Sequence, residues 1–159
     1  MTKELVENLP VEDFKKALQS LPISCVDIVV RNNKNKVLLM KRKEKPAEGE
    51  WWFPGGRIFK NEKIIDTIAR KLKDEVGLNE YCYPEQIGTF ETIFDDGPFE
   101  QQSHTINTTY LVDLIDISKM QTEVSINEKY SSDYRWVDGN EDFISKYVKD
   151  IISIVNEEY

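Results

Sequence analysis

Phe53-Pro54-Gly55-Gly56-Arg57-Ile58-Phe59-Lys60-Asn61-Glu62-Lys63-Ile64-Ile65-Asp66-Thr67-Ile68-Ala69-Arg70-Lys71-Leu72-Lys73-Asp74-Glu75-Val76-Gly77-Leu78 is a turn running into a helix. Pro54-Gly55-Gly56 is a turn signal, and its two glycines let the backbone come close to a ligand. A carbonyl exposed there can bind a hard cation. From Asn61 as N-cap, apolar residues recur at Ile64, Ile65, Ile68, Ala69, Leu72 and Val76, and Gly77 stops the helix. At about 100° per residue Glu75 falls beside Ile64 and Ile68, at the edge of the apolar arc, with Asp74 further round toward solvent. Two readings follow. A carboxylate held against the fold beside a glycine loop is an oxygen ligand for Mg²⁺, which takes one or two carboxylates plus substrate phosphates. Alternatively the segment is an amphipathic helix with a Lys71–Glu75 ion pair at i,i+4.

The rest of the chain bounds what this segment can serve. Its 159 residues, 40% hydrophobic, suffice for one domain spanning 1–159. A net charge of -8 argues against nucleic acid as a partner, so a phosphate ligand must be a small molecule held by local cations. Met1 to Pro10 carries no apolar run of signal-peptide length, and no later stretch is long and apolar enough for a membrane, so a cytoplasmic protein is expected. Cys25 and Cys82 lie far apart beside a single histidine, which points to two reduced, buried thiols.

The elements interleave as helix 11–19, a hairpin of strands 23–31 and 36–41 around Asn32–Asn35, a short strand at Trp52-Phe53, the helix above, strands 86–94, 104–115 and 133–137, and a C-terminal helix over Phe143 to Val155. This order is α/β and supports a mixed sheet packed between helices.

The spacing Gly56, five residues, Glu62, seven residues, then Arg70 through Glu75-Val76-Gly77-Leu78 resembles the Nudix box, here residues 56–78. Lys71 departs from it, standing where that family usually has a metal-binding Glu, and Asp74 replaces another Glu. Lys41-Arg42, Lys45 to Arg57, Glu12-Asp13-Phe14, Asp27, Phe94-Asp95-Asp96 and Asp133-Tyr134-Arg135-Trp136 are similar to the GDP-mannose mannosyl hydrolase branch, which lacks the Glu at Lys71. The resemblance implies a Nudix-type α/β/α sandwich and an Mg²⁺-dependent hydrolase cleaving the glycosidic C–O bond of a nucleotide sugar, giving GDP and free sugar. It places the metal on Glu75 and the Gly56 carbonyl, with Asp74 as a further ligand. Arg57 and Arg42 would neutralise the leaving diphosphate, Asp27 would touch the sugar, and Arg70 would support charge at the helix.

Attack at carbon passes through an oxocarbenium-like state and chiefly needs the departing diphosphate stabilised, so one metal can serve; attack at phosphorus commonly uses several. On this reading Lys71 disfavours a second cation, although as a surface lysine it could swing away.

The branch has a histidine base, preceded by a glutamine, just before its Asp-Tyr-Arg-Trp stretch; here Tyr130 and Ser131 stand there, and neither is a base near neutral pH. His104, the sole histidine, is a catalytic candidate, with Glu100, Asp95, Asp96 and Glu128 as substitutes. Two alternatives stay open. One is a pyrophosphohydrolase attacking phosphorus with metals on Asp74 and Glu75; the other is a non-catalytic nucleotide-binding module. The resemblance also implies a homodimer in which segment 1–22 takes part, its Leu5-Val6 and Phe14–Leu18 pairs needing a surface to cover.

Overall fold

The computed structural model describes residues 9–114 and 124–159. Its helices are α1 (Val11–Ser20), α2 (Ile64–Val76) and α3 (Lys146–Glu158). The strands are β1 (Ile23–Arg31), β2 (Val37–Arg42), β3 (Trp51–Trp52), β4 (Gly55–Arg57), β5 (Glu85–Phe94), β6 (Ser103–Asp113) and β7 (Ser131–Val137). They form a seven-stranded mixed sheet ordered β3-β2-β1-β6-β5, with β4 paired to β1 and β7 to β2.

β1 is central because Val26, Ile28, Val29 and Val30 leave neither face polar enough for solvent. It runs parallel to β6 from Ile23↔Thr105 to Arg31↔Asp113, and antiparallel to β2 through a hairpin that closes at Arg31↔Val37. In the hairpin turn the Asn32 side-chain carbonyl accepts from the Lys34 and Lys36 amides at 3.0 Å. β4 pairs with the same edge of β1 as β2, nearer the start of the strand, setting Gly55 opposite Asp27 and Gly56 opposite Val26. Only glycine allows that approach at residue 55, where φ is +156° and a Cβ would sit 2.1 Å from the Val26 carbonyl oxygen.

Alternation along β1 sorts the core into two layers. Val26, Ile28 and Val30 pack with Ile68, Leu72 and Val76 of α2 on one face. Val29 packs with Val148, Ile151, Ile152 and Val155 of α3 on the other. The expected α/β/α sandwich is therefore present.

Several boundaries differ from expectation for local reasons. α2 starts at Ile64, because Asn61 sits in a turn at φ 69° and Lys63 is the N-cap without a side-chain cap bond. Its buried face takes in Thr67 and leaves Ala69 exposed. Gly77 ends it as expected, in the left-handed conformation. α3 begins at Lys146, where the Ser145 hydroxyl accepts from the Val148 amide at 3.4 Å. Phe143 and Ile144 precede it, Ile144 still buried and Phe143 packed on Trp51. The two-tryptophan strand is Trp51–Trp52 rather than Trp52-Phe53.

Of the two cysteines, Cys25 is half-buried and Cys82 exposed, so the expectation of two buried thiols fails for Cys82. Among the described residues no helix is long and apolar enough to cross a membrane. Leu5-Val6 and the expected strand end at Ile115 lie outside the described residues.

Candidate functional site

The glycine loop, β1, β2 and the last turns of α2 bring Asp27, Arg42, Arg57, Lys71 and Glu75 into one charged neighbourhood. Arg42 and Glu75 each act electrostatically on Asp27. Lys71, Arg57 and Arg42 act together on Cys25. Four candidate residues thus converge with Lys71, Arg70 touches the group only through Arg57, and Asp74 and His104 do not join it.

Asp27 faces the α3 side of the sheet, only 5% exposed. The Tyr147 hydroxyl donates to its Oδ2 at 2.8 Å, the Trp52 indole also donates to it, and Asn107 Nδ2 donates to the Tyr147 oxygen at 3.0 Å. Trp52 and Tyr147 stack at 4.9 Å between ring centres, with Phe94 edge-on to Trp52. Burial pushes the Asp27 carboxyl up to about 6; the bonds from Tyr147 and Trp52 and the charge of Arg42 pull the other way without cancelling it. Burial likewise pushes the Cys25 thiol up to about 12, with the Asp27 charge adding to it.

Neither Tyr147 nor Asn107 figured among the sequence candidates. Tyr147 sits in the apolar stripe of the C-terminal helix and passes there for core. Its signal is the hydroxyl, which on a buried stripe must find a partner.

Arg42 stands at the end of β2 with its Nε donating to the Pro46 carbonyl at 2.7 Å. Burial lowers its guanidinium's pKa, while Glu75 and Asp27 favour its charge. Arg57 lies over the rings of Phe14 and Phe59, at 5.2 and 5.0 Å.

Arg70, expected to support charge at the helix, is engaged with Glu62 and the glycine strand. Its Nε and Nη2 donate to the two Glu62 oxygens at 2.7 and 2.9 Å, and Nη2 also reaches the Arg57 carbonyl at 3.1 Å. Glu62 further accepts from the Thr67 hydroxyl and the Phe59 amide, so this carboxylate ties the loop, β4 and the start of α2 together. Burial pushes the Glu62 carboxyl up, but Arg70 and the other donors outweigh it and hold it at about 2.

Glu75 is buried at the edge of α2's apolar arc, as the helical spacing predicts. Its Oε1 is paired with the Lys71 ammonium, the i,i+4 contact of the plainer reading. Lys71 is covered rather than free to swing away: its side chain is 13% exposed and its ammonium lies 5.0 Å from the centre of the Tyr130 ring. Asp74 is exposed, and its backbone carbonyl accepts from Asn127 Nδ2.

This donor set does not fit a resident divalent cluster. Among the described residues no three His, Cys, Asp or Glu side chains come together as a metal-binding group. Glu62 is bound to Arg70, Asp74 faces solvent, and Glu75 is already neutralised by an ammonium. A hard cation with one charge-compensated carboxylate lacks the anionic oxygens it requires.

His104 alternates with Ser103 and Thr105, so it faces the opposite side of β6 from Asn107 and the Asp27 pocket. There its Nε2 meets Glu91 Oε1 at 2.6 Å, which removes it as the base of this cleft. Of the substitutes, Glu100, Asp95, Asp96 and Glu128 are all exposed, and Asp95 is bonded to Gln102. Ser131 is buried opposite Arg42, and its neighbour Tyr130 carries the Lys71 cation on its ring.

The model of the family described as NUDIX domain matches residues 22–146. The chain is 30% identical over 143 residues to the low-salt glycan biosynthesis protein Agl8 of Haloferax volcanii, covering 88% of each. It is 23% identical to an ADP-ribose pyrophosphatase of Methanocaldococcus jannaschii, covering 87% of each. Among solved structures, the NUDIX domain of Shewanella oneidensis NrtR complexed with ADP ribose superposes with a TM-score of 0.68 at 22% identity, covering 96% of this chain and 94% of that one.

Proposed function

This chain belongs to the Nudix family, and from that premise we propose that it hydrolyses a nucleotide sugar, GDP-mannose or a related GDP-hexose, at the glycosidic C–O bond. The observation that carries this reading is the state of Glu75. It is the buried carboxylate of the box and is charge-compensated by Lys71, while Asp74 faces away. Attack at phosphorus commonly needs several metals held by carboxylates, whereas departure of a diphosphate from a sugar carbon needs chiefly that its charge be met. Arg42 and Arg57 meet that charge. Asp27, in its pocket of Trp52, Tyr147 and Asn107, contacts the sugar and supplies a carboxylate able to accept the attacking water's proton.

Nudix hydrolases generally use a divalent metal ion. Magnesium belongs to this reading as an ion brought in with the diphosphate, since Glu75 as paired does not fit a resident one. The Haloferax relative, named for glycan biosynthesis, supports a sugar-bearing substrate. A cytoplasmic location and a homodimer formed through residues 1–22 belong to the same reading.

A second reading, cleavage at phosphorus, is favoured by the relative named as an ADP-ribose pyrophosphatase. Hydrolysis of GDP-mannose in ¹⁸O-water separates the two, with the label expected in the released mannose and GDP left unlabelled. Label in GMP or in sugar phosphate assigns the reaction to phosphorus. Tight binding without turnover makes the chain a binding module instead.

A further inference from the structure

The Lys71–Glu75 pair sits where the glycine strand, the end of α2 and residue 130 meet, and each neighbour constrains the ammonium. Lys71 Nζ is paired with Glu75 Oε1, and both side chains are close to fully covered, at 13% and 9% exposure. The lysine stem lies against the glycine strand so closely that a Cβ built at Gly56 would be 3.1 Å from Cε and 3.2 Å from Nζ. On the far side the electron-rich face of Tyr130 lies 5.0 Å from the nitrogen. A carboxylate, a glycine backbone and an aromatic face therefore enclose one positive charge. Arg42 also feels the charge of Glu75, but Lys71 is the cation in ion-pair contact with it, and the neighbouring Asp74 is exposed, where it cannot draw the ammonium off without leaving Glu75 unpaired.

We propose that Lys71 is the resident cation of this site: its ammonium occupies the place on Glu75 that a divalent ion would need, and the carboxylate does not serve both. The positive charge beside the glycine loop is thus covalently part of the chain. A divalent ion approaching Glu75 meets a like charge at ion-pair distance in a covered site, where screening by water is weak. The inference concerns only which cation Glu75 holds, and stands whichever bond of a substrate is cut.

The test is Mn²⁺ binding to the full chain without nucleotide, followed by electron paramagnetic resonance. Wild type should bind weakly. Lys71→Met, which keeps the stem and removes the charge, should bind at least tenfold tighter; Lys71→Met combined with Glu75→Gln should return to the weak level. Lys71→Arg, which keeps the charge, should stay weak. The proposal is overturned if Lys71→Met binds no tighter than wild type, or if wild type binds tightly and Glu75→Gln abolishes it. Should Lys71→Met fail to fold, wild type alone decides by ¹⁵N NMR of the Lys71 ammonium. The signal should stay protected and unmoved on adding Mg²⁺, and a Mg²⁺-dependent loss of protection refutes the assignment. Because no substrate is present, this experiment reads only which cation Glu75 holds, and the isotope experiment reads separately which bond is cut, so the failure of one is distinguishable from the failure of the other.

Discussion

Asp27→Asn should shift the protein's stability in a pH-dependent way whose sign and size follow from the pocket. The carboxyl's ordinary value is 3.8 and burial raises it to about 6 in the fold. The folded chain therefore holds the proton more tightly than the unfolded one. Its stabilising contribution is complete below the unfolded value, is lost as pH rises through the folded value, and is flat above it. At about 1.4 kcal/mol for each pH unit separating the two values, ionising Asp27 costs the fold about 3 kcal/mol at neutral pH and above. Asparagine stays neutral throughout. Its carbonyl can accept from Tyr147 or Trp52, and its amide must face the remaining donor, a penalty that does not vary with pH. Urea denaturation of both proteins across about pH 4 to 8 should show the difference moving toward the variant by about 2 to 3 kcal/mol, with most of the movement below about pH 6.5. A difference that stays constant over that range, or moves toward wild type, refutes the account of Asp27 as a buried acid whose donors only partly offset its burial.

Glu62→Gln should destabilise the chain by about 3 kcal/mol in urea at pH 7, since it breaks a covered bidentate pair and leaves Arg70 short of its carboxylate. Because the Glu62 carboxyl is held below its ordinary 4.5, at about 2, the wild type's advantage is present above 4.5 and should shrink as pH falls through 2; an advantage unchanged by acid would contradict the pairing. For assembly, light scattering should give twice the chain mass at micromolar concentration. Val11 and Leu21 of the N-terminal segment are exposed and α1 buries no residue of its own, and a monomer would remove the dimer from the functional reading.

What could be read beforehand was set by local pattern. Strand 23–31 was legible as one arm of a hairpin, Gly77 marked the helix end, and 100° spacing put Glu75 at the edge of the buried arc. The start of α2 was not legible, because the group that organises it is the Glu62 carboxylate bonded to Thr67 and Arg70, outside the usual capping position. β4 was illegible too. Gly55-Gly56-Arg57 has no alternation and reads as a loop; it becomes a strand only because the edge of β1 beside it is open. His104 illustrates a third limit. Which face of β6 it takes is decided by a one-residue phase that residue type does not reveal. For Lys71, helical spacing predicts the partner Glu75 but not the Tyr130 ring and glycine backbone that close over it.

The parallel ladder between β1 and β6 governs when the cleft can exist at all. Every registered pair in it joins residues 82 positions apart, and the pocket draws on both strands, Asp27 from one and Asn107 from the other. Closing a flexible loop of that length costs on the order of 4 kcal/mol before the first pair is rewarded. The hairpin of β1 with β2 and the antiparallel pairing of β5 with β6 are local and can form earlier. Folding speed should then depend on how fast these two pieces dock along β1 and β6. During synthesis, Asp27, Arg42 and the glycine loop wait on the ribosome for a strand that arrives only after residue 103, so binding competence comes late and in a single step.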